Sequence, residues 1–308
     1  MGKVSIGGQA VIEGIMMKST DKYAVAVRKP DKEIEIQIND YVAVSDKVKL
    51  LKLPILRGVF NFVESMVIGF KTLTYSADFY DEEEDAAKKN EKKKEGSDSF
   101  FMFCTVALSI VLAVALFMLL PAFLVSFVDE VVKNHFLLGL LEGVVRLIIF
   151  LLYVILISKM EDIKRTFMYH GAEHKTINCL EAGEDLTIEN IMKHTRFHKR
   201  CGTSFLFIVM IVSILVFMCI KTDTIWLRLL YRVLLVPVIA GISYEFIRFA
   251  GKSDSKIADV LSKPGLWIQR LTTLEPTEDM VEVAIKSVEG VLDWRAYLAE
   301  EDNINVAS

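Results

Sequence analysis

Apolar residues in this chain are gathered in blocks of membrane-crossing length, and that distribution excludes an ordinary soluble domain. The blocks cover residues 100–128, 136–158, 203–220 and 226–249, the first interrupted by Pro121. Each approaches or exceeds the roughly 20 residues that a helix needs to cross a hydrocarbon core of about 30 Å. Overall, 53% of the 308 residues are apolar and the mean hydropathy is +0.39. The expected fold is a predominantly α membrane protein with about four transmembrane helices across residues 100–250, and the lipid bilayer is its first partner.

Charge sets the expected orientation. The segment 159–202 carries Lys159, Lys164, Arg165, Lys175, Lys193, Arg196, Lys199 and Arg200, whereas residues 128–135 carry only Lys133. Short loops rich in Lys and Arg stay on the cytoplasmic side, so 159–202 and both termini are expected there. The lysines of residues 88–94, with Lys252 and Lys256, agree. The opening Met1-Gly2-Lys3-Val4-Ser5-Ile6-Gly7-Gly8 lacks an apolar core of signal length, so insertion is expected to rest on the internal blocks. A net charge of −4 gives no basis for nucleic-acid binding, and Asp81-Glu82-Glu83-Glu84-Asp85 balances the lysines of a charged linker over 81–99. Cys104, Cys179, Cys201 and Cys219 form no Cys-x-x-Cys pair, and a disulfide framework is not expected in a reducing compartment.

Residues 1–50 read as a β-rich cytoplasmic unit. Residues 23–28, the turn Lys29-Pro30-Asp31-Lys32 and the alternating Glu33-Ile34-Glu35-Ile36-Gln37-Ile38 predict a half-buried hairpin. Gly7-Gly8-Gln9-Ala10-Val11 and the residues to Met17 predict a further strand, whose glycines permit close backbone approach. Over 51–80 the spacing changes to three and four at Ile55, Val59, Phe62, Met66 and Phe70, predicting an amphipathic helix on the bilayer or on the spans. The tail 251–308 holds a surface segment around Trp267 and a helix over 277–294. Thr187 is placed to cap a short helix with Asn190 at its third position.

Chemistry concentrates in 159–202. Of five histidines, four lie between 170 and 198. In Tyr169-His170-Gly171-Ala172-Glu173-His174-Lys175 a helix would put His170 and His174 on one face, suited to a divalent metal, with Glu173 beside them as a general base. The order His-x-x-Glu-His is the inverted zincin pattern; the bland alternative is a pair of polar surface histidines. A third donor is required. Glu245, an ionisable group inside an apolar block, is one candidate, against a local pair with Arg248. His198 and Cys201, three apart, are the other, completing the same site or making a second, structural one. Glu181 is placed to orient an imidazole, and Glu142 with Arg146 reads as a structural pair.

Several separated motifs resemble the YqhQ family of bacterial membrane proteins: Gly7-Gly8-Gln9-Ala10-Val11-Ile12-Glu13-Gly14, Tyr169 to Ile177, His198-x-Arg200-Cys201-Gly202-Thr203-Ser204-Phe205 and Gln269-Arg270-Leu271-Thr272-Thr273. That family is described as predicted metal-dependent enzymes. The resemblance implies that Gln9, Glu13, His170, Glu173, His174, His198 and Cys201 belong to its motifs, and it implies no substrate. The expectation is therefore a multi-pass protein of the bacterial inner membrane that holds Zn²⁺ at its cytoplasmic face and hydrolyses a membrane-proximal protein or lipid, Glu173 activating a metal-bound water. The alternatives are a scaffold or transporter with a structural metal, and a site with no metal in which the histidines bind carboxylates or lipid phosphates.

Overall fold

The computed structural model describes residues 6–43, 51, 53–87, 95–220, 224–252 and 256–307. The chain opens with a four-stranded antiparallel meander, β1 (Gly7–Val11), β2 (Gly14–Lys18), β3 (Lys22–Arg28) and β4 (Ile34–Asp40), ordered as in sequence. The expected hairpin is β3–β4, pairing Arg28 with Ile34 and Lys22 with Asp40. The half-buried pattern holds for neither strand: β4 is largely exposed, Ile36 and Ile38 included, while Ala24, Val25, Ala26 and Val27 of β3 are fully buried. The reason is a layer on each face of the sheet.

The first layer is α1 (Leu56–Ala87), which continues the helix expected over 51–80. Ile68, Tyr75 and Phe79 of α1 cover Val11, Met16, Val25 and Val27. Ser76 Oγ accepts the N–H of Ile12 at 3.2 Å, pinning α1 to the β1–β2 turn. Gly69 lies so close to β1 that a Cβ there would stand 2.3 Å from Gln9 Oε1. The other layer is α5 (Glu161–Glu181) with α10 (Glu278–Glu289), which bury Tyr169, Ala172, Ile177, Leu180, Met280, Val281, Ala284 and Val288 against Ile15, Met17, Ala24 and Ala26.

Between these layers in sequence lie α2 (Glu95–Val114), a π turn (Ala115–Leu119), α3 (Leu120–Ser126), α4 (His135–Ile157), α6 (Ile188–Lys193), α7 (Gly202–Met218), α8 (Ile225–Lys252) and α9 (Lys256–Thr272); α11 (Trp294–Ala307) ends the fold. Among the described residues three helical stretches are long and apolar enough to cross a membrane: Cys104–Ser126, His135–Ile157 and Leu230–Phe249. The expected fourth is α7, apolar but only 17 residues, or about 25 Å at 1.5 Å per residue. Leu108, Val111, Phe123, Leu152, Leu156 and Leu234 are each more than half exposed on these helices, a continuous surface that hydrocarbon suits and water does not. Pro121 does not end the first stretch, because the π turn before it absorbs the missing N–H. Asn134 starts α4 by accepting the N–H groups of Phe136 and Leu137. Gly143 lets α4 approach α7 closely, since a Cβ there would sit 2.5 Å from Ile214.

The lysine stretch 88–94 and the signal-length reading of residues 1–5 fall outside the described residues. α1 runs on to Ala87 and α2 begins at Glu95, so helix enters the expected linker over 81–99 from each side. Segment 159–202, expected as a loop, is largely helical. Tyr169, Ala172, Thr176, Ile177 and Leu180 form a stripe buried against the sheet, and Glu161 and Asp162 favour the start of α5. Thr187 caps α6 as expected, its Oγ1 accepting the N–H of Asn190 at 3.2 Å.

Candidate functional site

Three elements meet at the site. The middle of α5 carries His170, Glu173 and His174; Cys201 stands immediately before α7; β1 brings Gly8 and Gln9 across the top. α5 is helical here, so the two histidines share a face and their rings stand 4.4 Å apart, centre to centre. One ring nitrogen of each and Cys201 Sγ lie within 4.8 Å of one another.

The tautomers follow from the neighbours. His170 Nδ1 is 2.9 Å from Thr272 O, and His174 Nδ1 is 2.7 Å from Arg196 O. A carbonyl only accepts, so Nδ1 carries a proton in both rings and Nε2 is the position left to face a ligand. His170 Nε2 is 3.2 Å from Cys201 Sγ. His174 Nε2 is buried and closes no hydrogen bond among the described residues. Cys201 is also the N-cap of α7, its sulfur 3.4 Å from the Thr203 N–H, where the helix dipole favours a thiolate.

Glu173 is almost wholly buried. Its carboxylate accepts the N–H of Gly8, while Oε2 has no partner among the described residues. Gly8 is needed for this approach: a Cβ there would stand 2.8 Å from Met16 O and 2.9 Å from the Glu173 side chain. Burial pushes the Glu173 carboxyl above its ordinary range, against the pull of His170 and His174. For Cys201 burial acts upward, but the facing rings of His170 and His174 reverse it and hold the thiol well below its usual value. Burial lowers His170, yet the Cys201 sulfur raises it further, to about 9.

The remaining expected residues fall into place around this cluster. His198 is adjacent, its ring 5.6 Å from His174, but its Nε2 faces Glu181 Oε2 at 3.6 Å. Glu181 thus stands beside the His198 ring rather than beside His170 or His174, and it pairs with Arg200. Gln269, buried in α9, holds this loop by accepting the His198 N–H at 2.9 Å and donating to His198 O and Ser204 Oγ, each at 2.8 Å. Glu245 is not brought to the histidines. It forms a two-armed pair with Arg57 of α1, the Nε–Oε1 arm at 2.5 Å, and so does not join the cluster; its direct partner is Arg57 rather than Arg248. Glu13 ties the β1–β2 turn to α5 through Arg165 at 2.6 Å and Tyr169 at 3.2 Å. A second group, Cys179, Glu184 and His194, also lies within 4.8 Å. There burial and the neighbouring carboxylates push the thiol up to about 12, and His194 Nε2 is 3.3 Å from Glu184.

A cleft of about 350 Å³ opens on the cluster, bounded by Gly8, Gln9, Lys18, Glu173, His174, His198 and Cys201. It shares Gln9, Ser65, Arg200, Cys201 and Gly202 with an apolar groove of about 600 Å³ between α1 and α7, walled by Phe62, Met66, Phe70, Leu73, Phe205 and Leu206. The groove, the carbonyls of Thr272 and Arg196, and the Gly8 N–H have no individual signature in the sequence, although Gly8 and Thr272 lie inside the quoted motifs.

Comparison with known proteins adds a family and little chemistry. The family described as Protein of unknown function (DUF1385) matches residues 53–294. The chain is 37% identical over 306 residues to a protein of Bacillus subtilis (strain 168) described as "Uncharacterized protein YqhQ", a match covering 96% of this chain and 94% of that protein. No solved structure matches.

Proposed function

The chain belongs to the family described as Protein of unknown function (DUF1385), and from that premise we propose a metal-dependent hydrolase working at the membrane surface. His170, His174 and Cys201 would hold the metal, zinc by donor type, since imidazole and thiolate suit that ion. One observation carries the reading: two backbone carbonyls take both Nδ1–H groups and leave both Nε2 atoms facing the Cys201 sulfur, the arrangement of hydrogen bonds that orients imidazole ligands. Among the described residues the cluster offers three donors, the number kept by catalytic zinc sites, whereas structural sites close with four. That favours an enzyme over a metal-stapled scaffold.

Zinc held there would supply Lewis acidity and a more acidic water. Glu173 takes the proton at Oε2, the oxygen left without a partner, and returns it to the leaving group. The Gly8 N–H keeps the other carboxylate oxygen fixed. Gln269 holds the loop from His198 to Cys201 so that the sulfur stays opposite the rings.

The substrate is an amphiphile, a lipid or a membrane-proximal peptide segment, because the apolar groove between α1 and α7 runs into the cleft. We place α7 as a fourth crossing, since it packs along both α4 and α8, with both termini and the site on the cytoplasmic side of a bacterial inner membrane by the charge bias of 159–202. A second reading has one observation behind it. Cys201 at a helix N-terminus, 3.2 Å from His170 Nε2, is also the geometry of an activated thiol nucleophile.

A panel of ester and phosphoester probes of increasing chain length tests both readings on detergent-purified protein. The kcat/KM is expected to rise with chain length by roughly tenfold for every two methylenes buried, and activity to vanish on chelation and to return with zinc. Activity indifferent to chelation would transfer the role to Cys201 as nucleophile, and indifference to chain length would remove the groove from the account.

A further inference from the structure

A second polar centre lies inside the helix bundle. On α4, Glu142 and Arg146 are buried one turn apart, and Arg146 Nη2 donates to Glu142 Oε1 at 2.9 Å. Arg146 Nε donates to Phe117 O, also at 2.9 Å. That carbonyl is available because the residue four further on is Pro121, which has no N–H to give it. Arg232 reaches the same Glu142 oxygen from α8 at 2.5 Å, with its side chain only 5% exposed. Its Nε and Nη1 are buried and have no hydrogen-bond partner among the described residues.

Two guanidinium groups thus share one carboxylate, leaving an excess positive charge among apolar helices. Both lie 5.4 Å from the Phe217 ring, which shields one side of each but offers no lone pair. An uncompensated buried charge is costly, and an ionisable group at this depth marks a functional site by default. Beside the two arginines is a cavity of about 90 Å³, bounded also by Ser126, Asp129 and His135 at the α3–α4 connection. α4 runs from that connection toward α5, so this cavity sits at the opposite end of the helix from the histidine cluster. Its volume equals that of about three waters. That admits a small ion with a water or two, and not a lipid headgroup.

We propose that this cavity binds one small inorganic monoanion, of the halide or nitrate class, through Nε and Nη1 of Arg232. A single negative charge balances the cluster, and the forked donors match an anion seated between them. Asp129 stands at the exposed rim and leaves the inner end to the arginines.

Thermal melting of the full chain in detergent tests this, with sodium chloride or nitrate set against gluconate at equal ionic strength. Gluconate is too large for the cavity. Chloride is expected to raise the midpoint saturably, by about 3 °C or more, and Arg232→Gln, which leaves Glu142 paired with Arg146, is expected to abolish the rise. Glu142→Gln, which removes the internal rival for the arginines, is expected to lower the half-saturating chloride by about tenfold. Coincident chloride and gluconate curves, or a rise that survives in Arg232→Gln, would overturn the proposal. Should Arg232→Gln fail to fold, an unchanged half-saturation in Glu142→Gln overturns it equally.

Discussion

Replacing Gly171 with alanine is expected to cost about 3–5 kcal/mol of stability, the range of severe overpacking and strain. A Cβ there would stand 1.9 Å from Leu274 O and 3.1 Å from its carbonyl carbon. Those atoms are backbone and cannot turn aside. The segment they belong to is strapped to α5, the Leu274 N–H donating to Phe167 O at 2.9 Å, and it begins at Thr272, whose carbonyl fixes the His170 ring. Displacing it therefore loosens the fold and turns the first imidazole together. The variant is expected to melt roughly 10 °C lower in detergent, or not to be recovered folded. A melt within about 2 °C of the parent protein would show that α5 and this segment do not touch as described.

Glu173→Gln is expected to lower turnover by about 10²–10⁴-fold, the usual worth of a positioned general base, while leaving zinc content unchanged. Glutamine keeps the shape and can still accept the Gly8 N–H through its carbonyl oxygen, so the buried neighbourhood need not rearrange. What it loses is the ability to take a proton. Measuring activity and metal content on one preparation separates the roles: loss of zinc would make Glu173 a ligand, and undiminished turnover would remove it from the reaction. The raised carboxyl, caused by burial, places it nearer to neutrality, where a base must work.

The membrane-length helices were legible because burial in hydrocarbon leaves a one-dimensional mark, a run of apolar residues, that needs no partner to interpret. α5 was legible only conditionally. Its buried stripe mixes Tyr169, Ala172 and Thr176 with buried Lys175 and Glu173, and so carries little hydrophobic periodicity. The histidine pair followed from a spacing of four on that helix, but its third companion did not. Glu245 stands in a span that returns toward the site, yet which way a residue faces around a helix depends on packing. Arg57, 188 positions away, claims the carboxylate first. Cys201 stood only as a rival because its place depends on Gln269 of α9 holding the loop. The pairing of Arg232 with Glu142 was hidden for the same reason: it joins two spans that sequence alone cannot align.

The central claim is that His170, His174 and Cys201 bind a metal together, and elemental analysis of detergent-purified protein addresses it most directly. The parent chain is expected to carry about one zinc per molecule and a His170→Ala/His174→Ala double variant essentially none, given that even outer-shell changes weaken metal binding 10–100-fold. Equal zinc content in the two proteins, whether near zero or near one, would contradict the account.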